Sequence, residues 1–258
     1  GSITDEARAV AKSLLGGEQK AILLGNAAAH HEKASSLLAL ANWIGQQTGA
    51  SVGYLTEAAN TVGAQLVRAV PGQGGLNAAQ MLGGQLKAAI LLNTEPAFDS
   101  AKGAEGLKSA DMVVTLSPFK ANMDISDVLL PIAPFTETSG SFVNAEGRVQ
   151  SFHAVVRPLG DTRPAWKVLR VLGNLLGLPG FDADPSRAVL AAALPGVAGG
   201  SLLDASRLNN ADVGVGPAAA DQSPAQTSPC VAPIYQLDSL VRRATSLQLT
   251  SDARGARA

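Results

Sequence analysis

The stretch Asp127-Val-Leu-Leu-Pro-Ile-Ala-Pro-Phe-Thr-Glu-Thr-Ser-Gly-Ser-Phe-Val-Asn-Ala-Glu-Gly-Arg-Val-Gln150 decides the fold. Val128-Leu-Leu130 reads as a short buried strand that runs into prolines. A polar loop follows, holding Glu137, Ser139 and Gly140. Asn144-Ala-Glu-Gly147 then reads as the turn of a hairpin between Ser141-Phe-Val143 and Arg148-Val-Gln150.

Upstream of this stretch, strand and helix patterns alternate. Residues Ile3–Leu15 read as a helix, with Thr4 as its cap and Asp5-Glu6 in its first turn. Lys20-Ala-Ile-Leu-Leu24 is a short apolar run before Gly25-Asn26, which reads as a buried parallel strand ending in a loop. Leu37, Leu40, Ala41 and Ile44 fall at helical spacing, and Gly49 closes that helix. Ser51-Val-Gly-Tyr-Leu55 starts a second strand and completes a β-α-β unit. The pattern repeats. Gln73–Leu82 is a loop feeding a short helix, Lys87–Leu92 a strand, Ala101–Lys108 a helical segment, and Asp111–Leu116 another strand. Alternation of this kind predicts an α/β fold: a doubly wound, mainly parallel sheet with helices on both faces. Ligands of such sheets sit beyond the carboxyl ends of the strands. That rule singles out the loops Gly25–Glu32, Asn93–Phe98, Ser117–Asp124 and Thr136–Arg148.

Downstream, Asp161-Thr-Arg-Pro164 starts a helix whose buried stripe is predicted to be Trp166, Leu169, Leu172 and Leu176, with Gly177 as its end. After Phe181 the composition shifts: six of the 14 prolines lie beyond it, among many Ala, Gly and Ser residues. Asn209–Pro233 reads as linker. Ile234–Arg243 regains apolar periodicity and is expected to dock as a terminal helix, while Ser251–Ala258 is expected to be disordered. The expected organisation is residues 1–2 as the scar of an expression tag, 3–180 as the main domain, and 181–258 as an irregular carboxyl-terminal extension.

Composition narrows the functional classes. The chain has 258 residues and net charge −1, with 16% charged and 4% aromatic residues. A chain of this length buries about 70% of its unfolded surface and needs no staples. Without a basic cluster or a stacking platform, nucleic acid is not an expected partner. Cys230 is the only cysteine, too few for an internal disulfide or a four-thiolate iron–sulfur cluster. The uncharged runs Ala34–Thr56 and Ala188–Leu203 are broken by polar residues, Gly or Pro, so neither reads as a membrane span.

Polar motifs offer a short set of candidates. Asn26, after Gly25, stands where backbone could approach a phosphate; a plain strand-to-helix turn is the other reading. His30-His31-Glu32 is not expected to bind metal, because adjacent side chains in extended backbone point apart and only His153 remains as a further histidine. Gly72-Gln-Gly-Gly75 lacks the Lys-Ser/Thr of a phosphate-binding loop and reads as a turn. Glu137, Asn144, Glu146, Arg148 and Gln150 form the richest polar set. It could hold a ligand through a guanidinium fork and amide donors, or Glu137 and Arg148 could pair to fix the hairpin. No catalytic residue and no metal ligand is assigned.

The Asp127–Gln150 block resembles the molybdopterin oxidoreductase superfamily, whose pattern runs roughly A-D-V-V-L-P…E-x-x-G-T-F-x-N-x-E-x-R-x-Q. Asp161-Thr-Arg-Pro-Ala-Trp166 resembles a second superfamily feature, D/E-A-R-P-x-W before a helix. The resemblance covers about Ala21–Leu178. It implies a Rossmann-like domain of molybdopterin oxidoreductase type. Within that superfamily, Thr56–Gly63, the E-G-R-V-Q hairpin and Ile234–Arg243 look most like the carboxyl-terminal part of the large G subunit of NADH:quinone oxidoreductase, bacterial respiratory complex I.

That resemblance implies a scaffold fragment of an electron-transferring translocase subunit, inactive in isolation. Iron–sulfur clusters would be held in a region of the parent missing here, and the fragment itself would hold no cofactor. Asn26, Glu137, Asn144, Glu146, Arg148 and Gln150 would at most line a vestigial pocket. The implied partners are other subunits of the complex I peripheral arm, at the cytoplasmic side of the bacterial inner membrane and without direct insertion. Two alternatives stand beside it: a fragment of a catalytic, formate dehydrogenase-like molybdopterin enzyme, and an unrelated doubly wound nucleotide-binding module. The absent glycine fingerprint disfavours the latter.

Overall fold

The computed structural model of the chain describes residues 3–56, 58–84, 86–100, 103–204, 206 and 234–255. By their contacts they fall into two units, Gly1–Ala59 with Asp204–Val231, and Asn60–Leu203 with Ala232–Ala258. The boundary expected near residue 180 lies inside the second unit. The scar at 1–2, the linker Asn209–Pro233 with Cys230, and residues 256–258 fall outside the described residues.

The first unit is a β-α-β element behind a leading helix. Helix α1 (Asp5–Gly16) begins where the sequence predicts, because Thr4 turns its hydroxyl oxygen to the Ala7 N–H at 3.1 Å. Strand β1 (Ala21–Leu24), the single turn α2 (Asn26–Ala29), helix α3 (Ala34–Thr48) and strand β2 (Ser51–Tyr54) follow. The strands pair parallel, from Ala21 opposite Ser51 to Leu24 opposite Tyr54. Gly49 ends α3 at φ 71°, and its N–H bonds the Gly45 carbonyl at 2.7 Å. A Cβ on Gly45 would stand 2.6 Å from Val52 Cγ2, so the glycine lets α3 lie close against β2.

Two expectations are corrected in this unit. Strand β1 is not buried on both faces; Leu23 is 58% exposed, because the sheet here has only two strands. The buried positions of α3 are Ala39, Ala41 and Gly45, while Leu40 faces out. Close approach selects the small residues of the stripe.

The second unit carries the larger sheet. Helices α4 (Thr61–Leu66) and α5 (Ala78–Met81) precede strand β3 (Ala88–Leu92). Asn77 and Gln80 form a reciprocal capping box that starts α5. Helix α6 (Pro96–Asp99), strand β4 (Met112–Ser117) and strand β5 (Val128–Pro131) come next. The three strands are parallel, in the order β3-β4-β5. Ala89, Leu91, Leu107 and Val113 form the core beneath them, with Leu82, Leu86, Ala110 and Ile125 packed around it.

The helix expected over Ala101–Lys108 is instead a 3₁₀ turn, Glu105–Ser109, among the described residues. Gly106 packs against the Leu82 carbonyl with no space for a side chain, and a regular helix does not fit so tight a crossover. Strand β5 is likewise less buried than expected. It ends the three-stranded order, and Val128 is 40% exposed.

Beyond β5 the deciding stretch folds as predicted. Strands β6 (Gly140–Val143) and β7 (Val149–Phe152) pair antiparallel, with Val143 opposite Val149 and Gly140 opposite Phe152. Asn144 Oδ1 accepts the N–H groups of Glu146 and Arg148 at 3.1 and 2.9 Å, and Gly147 turns the chain at φ 85°. Val143, Val149 and Leu203 form a second core, which Val62, Leu66, Leu190 and Val197 complete.

Helix α7 (Ala165–Leu175) follows Pro164, and Gly177 at φ 68° closes it. Its predicted stripe is corrected at one end. Leu176 is 64% exposed, while Gly173 is buried beneath the Phe181 ring. The chain turns back over the last turn of the helix at that point, which only a glycine permits. Helix α8 (Ser186–Ala193) and the residues after it fold onto the hairpin, where Val149 exchanges backbone bonds with Ser201 and Gly200 at 2.8 Å each. Helices α9 (Ser239–Arg243), α10 (Thr245–Gln248) and α11 (Ser251–Gly255) end the described residues. The disorder expected from Ser251 is corrected over 251–255: Ala253 is only 1% exposed. No helix among the described residues is long and apolar enough to cross a membrane. The fold is mixed α/β with parallel sheets, in agreement with the sequence-based expectation.

Two substitutions test this account of the hairpin. Gly140 lies under the Phe152 ring, whose Cζ would be 2.7 Å from an added Cβ. Gly140→Ala should therefore lower unfolding free energy by about 1–3 kcal/mol in a urea titration. Asn144→Ala should cost about 1–2 kcal/mol by the same measurement, while Asn144→Asp, which keeps the acceptor, should lie close to the parent protein.

Candidate functional site

The strand-end rule points to the carboxyl ends of β3 and β4, and the chain builds a polar cluster there. Asn93 leaves β3 with φ 48° while its N–H still reaches the Leu116 carbonyl at 2.8 Å. Asp99, at the end of α6, folds back to accept the Glu95 N–H at 2.7 Å and the Thr94 hydroxyl at 3.1 Å. Asn122, also left-handed at φ 55°, donates from Nδ2 to the Thr94 carbonyl at 2.9 Å. The two loops are thereby fixed to each other. Below them Thr115 is fully buried, its hydroxyl 2.7 Å from that of Ser126. Asp127 anchors the start of β5 by accepting the Val113 N–H at 2.7 Å.

Helix α9 sits on this cluster. Asp238 caps it, accepting the N–H groups of Leu240 and Val241 at 2.8 and 3.1 Å. The Ser239 hydroxyl donates to Asn93 Oδ1 at 3.3 Å. Arg242 donates to Asp99 at 2.8 Å and to the Gln236 carbonyl at 3.0 Å. Arg243 forks onto both oxygens of Glu95, at 2.7 and 3.2 Å, and Glu95 is 4% exposed. Gln248 ties the turns together through Gln236 and the carbonyls of Tyr235 and Val241. The docking expected of Ile234–Arg243 is thus seen in geometry. Glu95, Asp99, Arg242 and Arg243 were not singled out by the sequence reading. Their available signal was a capped amphipathic turn ending in two arginines, opposite two carboxylates one helical turn apart.

The predicted site residues are only partly brought together. Arg148 and Gln150 line a shallow open groove of about 450 Å³ with Val149, Ser151, Gly199 and Gly200. Glu146 stands exposed at the hairpin turn. Asn144 is occupied by the turn. Glu137 accepts the Leu159 N–H at 2.9 Å, so the expected pairing with Arg148 does not form. The backbone explains this: the chain passes Glu137 again at Val155 and Val156, whose N–H groups bond the Thr136 carbonyl. Asn26 belongs to the other unit. Gly25 before it has open space around its missing side chain, so nothing there demands a close backbone approach.

The remaining motifs serve local structure. His31 Nδ1 accepts the Lys33 N–H at 3.0 Å. Gly72–Gly75 closes a turn through a 2.9 Å backbone bond, with Gly74 at φ 77°. Burial pushes the Tyr54 phenol above its usual range, and the hydrogen bond to Glu105 raises the Lys108 ammonium. Neither lies among the candidate residues.

A pterin cofactor needs an enclosed surface with unengaged donors and acceptors. The hairpin groove is open, and Gln150 on it is exposed. At the strand ends, Asn93, Glu95 and Asp99 are engaged by α9. These residues do not fit such a group.

The chain can now be set beside known proteins. The molybdopterin oxidoreductase family matches residues 9–175. Provisionally named formate dehydrogenases of Staphylococcus aureus strains USA300 and NCTC 8325 are each 39% identical over 61 residues, and that of bovine strain RF122 is 38% identical over 61. These matches cover 24% of this chain and 6% of each relative. A family match that takes in both parallel sheets, the hairpin and α7 makes this chain a member of the molybdopterin oxidoreductase family.

Proposed function

We propose that the chain is the scaffold part of a formate dehydrogenase-like oxidoreductase. The similarity to proteins named formate dehydrogenases carries this reading. The chain's own contribution would be positional. Two fixed strand-end loops and a rigid hairpin would hold neighbouring parts of the enzyme, and the redox groups would be bound elsewhere in the protein. On this reading the active partner surfaces belong to other segments of the same enzyme.

A second reading has its own support. Helix α9 engages Asp99 and Glu95 beyond the strand ends, where a ligand of such a sheet would sit. That favours a family member without the cofactor, of the kind found as the G subunit of complex I. Such a subunit would support electron transfer from NADH to quinone through iron–sulfur clusters held elsewhere. Its partners would be other subunits of the complex I peripheral arm, at the cytoplasmic side of the bacterial inner membrane.

The protein in which this chain occurs, purified intact from its source, should reduce a viologen dye with formate. NADH-dependent quinone reduction without formate oxidation would overturn the first reading in favour of the second. The isolated chain should show no visible-range absorption of iron–sulfur or pterin type. A stoichiometric band in clean protein would contradict the scaffold role under either reading.

A further inference from the structure

Two adjacent arginines of α9 each meet one carboxylate and one aromatic ring, but they are bound differently: Arg243 forks, while Arg242 offers Asp99 a single Nη1 bond and keeps a buried Nε without a hydrogen-bond partner among the described residues. Arg243 forks onto Glu95, and its guanidinium lies 4.3 Å from the centre of the Phe119 ring. Arg242 donates to Asp99, and its guanidinium lies 5.1 Å from the centre of the Phe98 ring. Each slot therefore pairs one carboxylate with one aromatic face. A carboxylate accepts a planar fork, and an aromatic face attracts a delocalised cation; together they select guanidinium over ammonium. The two rings come from different loops, one after β3 and one after β4. The Asn122 bridge to the Thr94 carbonyl fixes the spacing between the slots. The hydrophobic core of the sheet lies elsewhere, among Ala89, Leu91, Leu107 and Val113.

We propose that the loops after β3 and β4 form a two-slot socket that recognises a pair of adjacent arginines at the end of a short helix. The occupant is this chain's own α9. While α9 is seated, the crevice beyond the strand ends is closed. The docking is held largely by charge, and Asp99 and Arg243 are partly exposed at 29% and 36%. Salt should therefore loosen it. The socket does not depend on the proposed function above.

Hydrogen exchange on the full chain tests the socket. In the double variant Arg242→Lys, Arg243→Lys the positive charge stays, while the Arg243 fork and both planar guanidinium faces on the rings are lost. The amides of Arg242 in α9 and of Ala244 just after it should then exchange at least about ten-fold faster, while Val113 and Leu116 in β4 keep their protection. Slow, parent-like exchange in α9 would overturn the proposal, because a plain charge contact tolerates lysine. A synthetic peptide of residues 234–254, added to the double variant, should restore slow exchange at Phe98 and Asp99. The same peptide with lysine at both arginine positions should not, and equal restoration by both would also overturn it. Should the double variant lose protection in β4, the single Arg243→Lys variant gives the same two outcomes, since Arg243 carries the fork.

Discussion

A strand in the middle of a parallel sheet is buried on both faces, and β4 carries polar atoms into that position. Thr115 and Ser117 flank Leu116 with almost no exposure. A hydroxyl buried without a partner costs about 1–3 kcal/mol, so each needs a nearby group. Ser126 serves Thr115, and the Ser117 oxygen takes the Phe119 N–H. Asp127 reaches back to the Val113 N–H. The result is that the whole β4–β5 connection is bound to the strand it leaves. The loop needs no helix to hold its shape, and its far end is presented at a fixed height beyond the sheet.

That fixed height matters for everything at the strand ends. Asn93 and Asn122 both take left-handed backbone, which asparagine accepts more readily than most residues. Their side chains each make a hydrogen bond, Asn93 with Ser239 and Asn122 with the Thr94 carbonyl. Helix α9 meets a surface that is already formed. Glu95 is nearly inaccessible, and Arg243 supplies the opposite charge its carboxylate needs there. Removing one partner of such a buried pair typically costs about 3–5 kcal/mol, since the other charge is left without compensation. The hairpin is built differently. It has a hydrophobic side, with Val143 and Val149 against Leu203, and an open polar side where Arg148 and Gln150 stand. Its polar residues are largely structural: Asn144 shapes the turn, Asn60 accepts the Val143 N–H, and Glu137 holds the Leu159 N–H.

These features separate membership of a family from the chemistry that its members are named for. The family match runs over residues 9–175, which hold both parallel sheets, the hairpin and α7. A redox reaction needs a bound group, and of the candidate residues Glu137 and Asn144 are engaged by backbone N–H groups while Arg148 and Gln150 line only an open groove. The likeness to formate dehydrogenases covers 6% of those proteins, and what it conveys is kinship of a segment.

The sequence alone determined the local elements. Thr4 with Asp5 and Glu6, Gly49, the Asn77–Gln80 box, and Asn144 with Gly147 each act within a few residues, so their effect is readable without a fold. Parallel pairing was readable too, because apolar runs separated by helix-length segments leave few other arrangements. Only the tertiary structure decided what was buried and what was paired. Leu40 and Leu176 lie at helical spacing yet face outward, because close contacts were claimed by Gly45 and Gly173. Glu137 and Arg148 are oppositely charged and near in sequence, yet the chain returns to Glu137 at Leu159. The Arg242 and Arg243 partners stand 143 and 148 residues away. Contacts at that separation depend on where two loops end in space, which no periodicity in the sequence encodes.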